Sequence, residues 1–192
     1  MQHYLIVSAL DTETEGLEQH APIVYTGVGK VNAAIKLYEA ILEYKPNHII
    51  NYGTAGSICL TKHAGLYKVD TFVQRDMDVR GLGFERGTTP FSNETLPEAN
   101  GVVLGTGDSF VTNIEKDLEG LNIEIDLIDM EAYALKAVCD HHQLPFTCYK
   151  YVTDTADDDS ADAWHENVAK GALLFAELLN DTYGTSTLKI ST

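Results

Sequence analysis

Residues 23–56 read IVYTGVGKVNAAIKLYEAILEYKPNHIINYGTAG, and this stretch decides the fold class. A short apolar run, Ile23 to Thr26, leads into a glycine turn, after which residues 31–44 carry apolar side chains at helical spacing. Pro46 ends that helix, and His48 to Tyr52 has the composition of a buried strand. The order strand, helix, strand predicts a βαβ unit with parallel strands.

The same alternation extends outward from this unit in both directions. We expect further strands at Tyr4–Leu10, Val69–Gln74, Gly101–Leu104 and Pro145–Val152, and helices at Ile128–His142 and Ser160–Leu179. Residues 75–100 hold glycines, prolines and charges without a sustained period, which predicts a long loop. The pattern predicts one α/β domain over residues 1–183, with a largely parallel sheet flanked by helices, and a polar tail over 184–192.

Charge and cysteine content narrow the functional classes. The 192-residue chain has a formal net charge of −16, so it repels phosphate backbones and anionic membrane surfaces. Its three cysteines, Cys59, Cys139 and Cys148, form no CxxC pair and suit reduced thiols in a cytosol. No signal peptide is visible, and no apolar run reaches membrane-spanning length. We therefore expect a cytoplasmic protein that binds a small molecule rather than nucleic acid or membrane.

Several familiar motifs are incomplete. Gly27-Val28-Gly29-Lys30 suggests a phosphate-binding loop, but a P-loop needs glycine where Val24 stands. A dinucleotide fingerprint fails as well, because Asn32 occupies the position of its third glycine. The histidines show no metal-ligand spacing, and no G-x-S-x-G elbow occurs. We therefore expect no metal site.

Three carboxylates stand in unusual contexts. Glu13 follows the first strand, Glu131 lies inside an apolar stretch, and Asp154 follows the strand near residue 150. Two glycine-rich segments, 53–56 and 105–108, also follow strands, and we expect both to be turns. Because ligands bind outside the carboxyl ends of strands in open α/β sheets, these features should gather at one rim of the sheet.

Five segments together resemble a known family. They are TGVGKVNAA at 26–34, NYGTAG at 51–56, GTGDSF at 105–110, DMEA at 129–132 and VTDTAD at 152–157. In this order they are similar to motifs of the 5′-methylthioadenosine/S-adenosylhomocysteine nucleosidases, which belong to the purine nucleoside phosphorylase superfamily. The resemblance spans nearly the whole chain and implies a three-layer phosphorylase-like fold with a central mixed sheet.

The resemblance implies hydrolysis of the N-glycosidic bond of an adenine-type nucleoside without a cofactor. Asp154 would donate a proton toward purine N7, and Glu13 would position and deprotonate the attacking water. The remaining implied contacts are Glu131 and Met130 on the ribose, Phe110 and Val111 on the base, and Thr54 and Gly56 on the sugar and water side. Family members generally form homodimers or larger homo-oligomers, so we expect self-association.

Departures from the family pattern leave alternatives open. Asp129 stands where the family usually has Glu, and Lys150 where it often has Arg. Related phosphorylases hold phosphate with an Arg at the position of Asn51, and a neutral amide cannot pair with phosphate in that way. This favours hydrolysis over a phosphate-dependent phosphorylase or a non-catalytic nucleoside-binding protein. Arg75, Arg80 and Arg86 also leave a substrate with a charged 5′ group open.

Overall fold

The computed structural model describes residues 3–59, 61–92, 101–155 and 161–186, without the side chains of 154–155 and 161–167. Its strands are β1 (Tyr4–Ser8), β2 (Ile23–Tyr25), β3 (His48–Ser57), β4 (Gly65–Val69), β5 (Thr71–Gln74), β6 (Val103–Thr106), β7 (Leu127–Asp129) and β8 (Phe146–Thr155). The helices are α1 (Lys30–Tyr44), α2 (Ile114–Asp117), α3 (Ala132–His141) and α4 (Ala161–Thr182). Short 3₁₀ turns cover Asp11–Glu13 and Arg80–Leu82.

All eight strands belong to one mixed sheet. Its main path runs β2-β1-β3-β7-β6-β5, while β8 pairs with β3 and β4. The pairs β1–β2, β1–β3, β3–β8, β5–β6 and β6–β7 are parallel, whereas β3–β7 and β4–β8 are antiparallel. The prediction of a central, largely parallel sheet is confirmed.

Alternate side chains of β1 and β3 point to opposite faces of the sheet, where they contribute to two separate hydrophobic cores. Leu5, Val7 and Ile49 pack with α1 and α3 on one face of the sheet. Ile6 and Ile50, each one residue further along, pack with α4 on the other face. This alternation produces the three-layer arrangement of helix, sheet and helix.

Three expectations about local structure were wrong, one of them only in part. Residues 53–56 are not a turn, because β3 continues as a strand to Ser57. The turn expected at 105–108 begins only after Thr106, because Gly105 and Thr106 belong to β6. Residues 127–129 form β7 rather than the first turn of a helix, and α3 begins only at Ala132. Strand β3 continues because its residues 53–57 pair with β8, and β7 forms by pairing with β6 and with Gly56 and Ser57 of β3. Local sequence patterns do not reveal such long-range contacts.

The edge of β3 carries a gap that positions the site. β1 pairs with β3 only as far as Asn51, and β7 pairs with it only from Gly56. Between these two pairings, the N–H of Thr54 donates to the carboxylate of Glu13 instead of to a strand. Along this edge of β3 the buried carboxylate of Glu13 thus takes the place of a neighbouring strand, while β8 pairs along the other edge.

Among the described residues, no helix is both long and apolar enough to cross a membrane.

Candidate active site

Glu13 is the most completely bonded carboxylate of the site. It lies in the turn after β1 and is buried. Its Oε1 accepts hydrogen bonds from the N–H and hydroxyl of Thr54, at 2.8 and 2.7 Å. Its Oε2 accepts from the Ser8 hydroxyl at 2.9 Å and from the Leu10 N–H at 3.2 Å. Four donors fix both oxygens of the carboxylate, so its orientation is set before any ligand arrives.

Gly53 makes room for this arrangement inside a strand. A Cβ built there would lie 3.3 Å from Oε1 of Glu13 and 3.5 Å from Nζ of Lys150. The carboxylate and the ammonium therefore approach the β3 backbone from the side where other residues carry a side chain. A glycine inside a strand marks this kind of close approach.

A buried ion pair lies beside Glu13. Nζ of Lys150 is 2.9 Å from Oδ2 of Asp129, and both side chains are almost fully enclosed. Burial by itself would lower the pKa of Lys150, but Asp129 above all, together with Glu131 and Glu13, raises the pKa above its ordinary value. The side chain is therefore a permanent ammonium that partly balances three carboxylates.

Asp129 also links the pair to the start of α3. Its Oδ2 accepts the N–H of Ala132 at 2.9 Å, and its Oδ1 accepts the hydroxyl of Thr106 at 2.6 Å. The same hydroxyl oxygen accepts the N–H of Tyr133 at 3.0 Å. Asp129 and Thr106 thus satisfy free donors of the first helical turn, which fixes Glu131 immediately before it.

Glu131 faces the glycine turn before α1. Its Oε1 accepts the N–H of Gly29 at 2.9 Å, and Gly29 has φ +94°, a conformation that favours glycine. Burial raises the pKa of Glu131; Lys150 and the Gly29 N–H oppose that rise, and the carboxylates Asp129 and Glu13 add to it. The motif TGVGK therefore serves the site through a backbone donor rather than as a phosphate loop.

The segment after β6 is open by comparison. The side chain of Phe110 is 82% exposed, and Val111 beside it is partly buried. Neither has packed against an aromatic or apolar cluster of the core. An exposed phenyl ring with one free face suits stacking on a planar ligand.

The other expected site residues lie on neighbouring elements. Met130 stands between β7 and α3, next to Glu131. Gly56 lies in β3, where a Cβ would come within 3.1 Å of Ile128. Asp154 belongs to β8, between Val152, which pairs with Ala55, and Thr155, which pairs with Ser57. The Asp154 backbone therefore runs beside Gly56, while its side chain lies outside the described part of the structure.

The three arginines of residues 75–86 bond within the chain. Arg75 is buried, and its guanidinium donates to Gly107 and Ser109. Arg80 pairs with Asp78, and Arg86 donates to the carbonyls of Asp117 and Glu119. Each has its own internal partner, which weakens the idea that they await a charged 5′ group.

Sequence reasoning did not find several residues that build the site. Ser8 and the N–H groups of Leu10 and Gly29 hold the two carboxylates. Backbone donors leave no trace in residue type, but the polar Ser8 at the end of an apolar strand is a detectable signal. Among the described residues, no group of three or more His, Cys, Asp or Glu side chains has a metal-binding arrangement.

Comparisons with known proteins agree with this architecture. A 5′-methylthioadenosine/S-adenosylhomocysteine nucleosidase of Bacillus velezensis is 28% identical over 187 residues, covering 86% of this chain and 80% of its own length. A nucleosidase of the same name from Colwellia psychrerythraea, solved in complex with adenine, has a TM-score of 0.80 at 19% identity and 98% coverage of both chains. A Helicobacter pylori MTAN mutant with 5′-methylthioadenosine in its active site has a TM-score of 0.78 at 19% identity, covering 94% of this chain and 97% of its own.

The family model described as Phosphorylase superfamily matches residues 12–182, which include every site residue named above from Glu13 to Asp154. The expected fold class is thereby confirmed. This chain belongs to the phosphorylase superfamily.

Proposed function

We propose that the chain hydrolyses the N-glycosidic bond of adenine-type nucleosides, releasing adenine and the ribose derivative. The single observation that carries the proposal is the pair of buried carboxylates: Glu13, held at the gap in β3, and Glu131, held by the N–H of Gly29. The nucleosidase names of the relatives support the same reaction class. The leading substrates are 5′-methylthioadenosine and S-adenosylhomocysteine, with related 5′-modified adenosines next.

The sugar side supplies the nucleophile in this proposal. As the base leaves, positive charge develops on the ribose, and nearby carboxylates stabilise it. Glu13 takes a proton from a water that also contacts the hydroxyl of Thr54, since that hydroxyl can rotate away from Oε1. Glu131 accepts the ribose hydroxyls beside Met130, and its bond to Gly29 keeps it oriented. Gly56 lines the space beneath the sugar.

The base side stabilises the leaving group. Negative charge develops on the departing purine, and a proton delivered near N7 neutralises it. We assign this proton to Asp154, and the assignment is supported by the course of its backbone beside Gly56, near the carboxyl end of β3. Phe110 stacks on the purine, and the backbone of Val111 meets its edge. The chain's own residues thus cover both charges of the transition state.

Asn51 favours water over phosphate as the nucleophile. Its Nδ2 donates to the carbonyl of Val7 at 2.9 Å, and its Oδ1 accepts from Sγ of Cys148 at 3.2 Å. The amide is fully buried and is engaged in the sheet. A phosphorylase needs a cationic side chain such as Arg to hold phosphate, and this neutral, enclosed amide cannot do so.

The test is release of adenine from a panel of nucleosides with and without phosphate. We expect free adenine and a free sugar in phosphate-free buffer, with 5′-methylthioadenosine among the fastest substrates. Strict phosphate dependence with a ribose-1-phosphate product would replace hydrolysis by phosphorolysis. Asp154→Asn should abolish turnover while the protein stays folded, and wild-type activity in that variant would remove Asp154 from the mechanism.

Self-association and location also belong to this proposal. We propose a homodimer or larger homo-oligomer in the cytoplasm. One face of α1 exposes the apolar side chains Val31, Ile35, Tyr38 and Leu42, which a second copy could cover. Sedimentation equilibrium that gives the mass of a single chain at micromolar concentration would contradict the oligomer.

A further inference from the structure

Arg75 has a buried charge that the proposed chemistry does not use. It follows β5 directly, and its backbone N–H donates to Thr106 at the end of β6, at 2.9 Å. Its guanidinium bonds to the residues that follow β6. Nη1 donates to the hydroxyl of Ser109 at 3.2 Å, while Nη2 donates to the carbonyls of Gly107 and Ser109. Three acceptors of one short loop thus depend on one side chain.

The loop needs such a partner because it has left the sheet. Carbonyl groups that turn inward without a strand or helix partner must find other donors. A guanidinium provides several donors in a rigid plane, so it can bond several carbonyls at once in a way that lysine cannot. The Arg75 guanidinium therefore supplies residues 107–109 with hydrogen bonds that a neighbouring strand would otherwise provide.

Gly107 is matched to this guanidinium. A Cβ at position 107 would lie 2.8 Å from Cζ and 3.1 Å from Nε of Arg75. The φ angle of Gly107 is not positive, so the backbone there is accessible to any residue. Glycine is needed at this position for space, because the guanidinium lies directly beneath it.

The next residue along the chain holds the same loop from another side. Oδ2 of Asp76 accepts the N–H of Asp108 at 2.9 Å, and Oδ1 of Asp76 pairs with Nζ of Lys30. Oδ1 of Asp108 accepts the N–H of Lys30 at 2.8 Å. The loop is therefore tied to the start of α1, where Gly29 holds Glu131.

We propose that Arg75 is a positioning residue that fixes residues 107–109 so that Phe110 and Val111 meet the purine. This inference rests on the proposed function, because it assumes an adenine base at that loop. It replaces the idea of a charged 5′-group contact by Arg75 with an internal role. Its signature is weaker binding of the base and a higher KM with little change in kcat.

Gly107→Ala tests the role without removing the charge. The new methyl group must displace the guanidinium, and we expect the Kd for adenine and the KM for 5′-methylthioadenosine to rise about tenfold or more. Arg75→Lys, which keeps the charge but loses the planar fork, should act in the same direction. Ser109→Ala removes one acceptor on an exposed residue and should raise the Kd about threefold.

Two controls separate positioning from general stability. A Cβ at Gly81 would meet nothing within 4 Å and φ there is not positive, so Gly81→Ala should leave Kd and KM unchanged. Ile41→Val trims a core residue of α1 and should lower Tm without changing either constant. Calorimetric titration with adenine, steady-state kinetics and thermal unfolding are the readouts.

The outcomes divide cleanly. Weakened adenine binding in folded Gly107→Ala and in Ser109→Ala, with both controls unchanged, supports the proposal. Wild-type Kd and KM in folded Ser109→Ala and Gly107→Ala overturn it; should Gly107→Ala not fold, Ser109→Ala decides alone. A wild-type chain that neither binds adenine nor hydrolyses its nucleosides overturns the proposed function and this role together, which is a different result.

Discussion

The proposed sugar side and the proposed base side of the site differ in how far the chain has organised them. On the proposed sugar side, Glu13 has four donors and Lys150 is paired with Asp129, and these three charged side chains are buried. On the proposed base side, the side chain of Phe110 is 82% exposed. The difference teaches that this chain preorganises charge and leaves stacking to the ligand. Charged groups in a buried site must be bonded at all times, whereas an aromatic ring tolerates water.

Removing the buried ammonium of Lys150 should have the largest effect on stability. Lys150→Met leaves Asp129, Glu131 and Glu13 without their cation, and loss of one partner of a buried ion pair costs about 3–5 kcal/mol. We expect the free energy of unfolding, measured with urea, to fall by that amount. The matched control is Lys36→Met, since the exposed pair Lys36–Glu39 contributes about 0–1 kcal/mol. Equal stability of the two variants would contradict a buried centre in which Lys150 balances the carboxylates.

Neutralising Glu131 should raise stability and lower activity. Its raised pKa means that the folded chain binds a proton there more readily than the unfolded chain does. Stability therefore falls as pH rises from the ordinary glutamate pKa through the raised value. Glu131→Gln should unfold at a higher temperature than wild type at pH 7, and this gain should vanish below the ordinary pKa.

The same variant should lose ribose binding. An amide accepts sugar hydroxyls less strongly than a carboxylate, so kcat/KM should fall about 10- to 100-fold. Thermal unfolding at pH 4 and pH 7 and steady-state kinetics provide the measurements. Lower stability of the variant at pH 7 would contradict a burial penalty on the Glu131 carboxylate, and unchanged kcat/KM would contradict its contact with the ribose.

Trimming the open side should have the smallest effect and leave the fold intact. Phe110→Ala removes a ring that makes no core contact, so Tm should stay within error of wild type. Loss of stacking on the purine should raise KM about tenfold. Leu173→Ala, an exposed apolar residue on α4, is the control and should change neither value. A large drop in Tm for Phe110→Ala would show that the ring is structural.

How much of this could be predicted from sequence depends on the range of the contacts involved. Hydrophobic periodicity predicted α1 and β1 to within a few residues, because the burial of an element produces a local pattern of apolar residues. Glycine composition misled at residues 53–56, since those glycines make room for Glu13 and Lys150 rather than forming a turn. Residue spacing within one segment cannot show which side chains of a distant segment pack against it.

The site follows the same rule. The motifs selected Glu13 and Thr54 separately, and the structure joins them by two hydrogen bonds. The catalytic roles of Asp154 and Glu13 stay predictions, and so do the substrate-binding roles of the other expected residues: Glu131, Met130, Phe110, Val111, Thr54 and Gly56. Arg75 was one of three arginines that left a charged 5′ group open, because residue type reports charge and not partners. Its acceptors on Ser109 lie more than thirty residues away in sequence. Local sequence patterns could not predict these hydrogen bonds between residues that are distant in sequence.

The most direct measurement of the central claim is the turnover of Glu13→Gln with 5′-methylthioadenosine in phosphate-free buffer. Loss of a general base lowers rates by about 10²–10⁴-fold, so kcat for adenine release should fall by that factor. The variant should still bind adenine, which shows that the base side is intact. A folded Glu13→Gln protein with wild-type kcat would contradict water activation by Glu13.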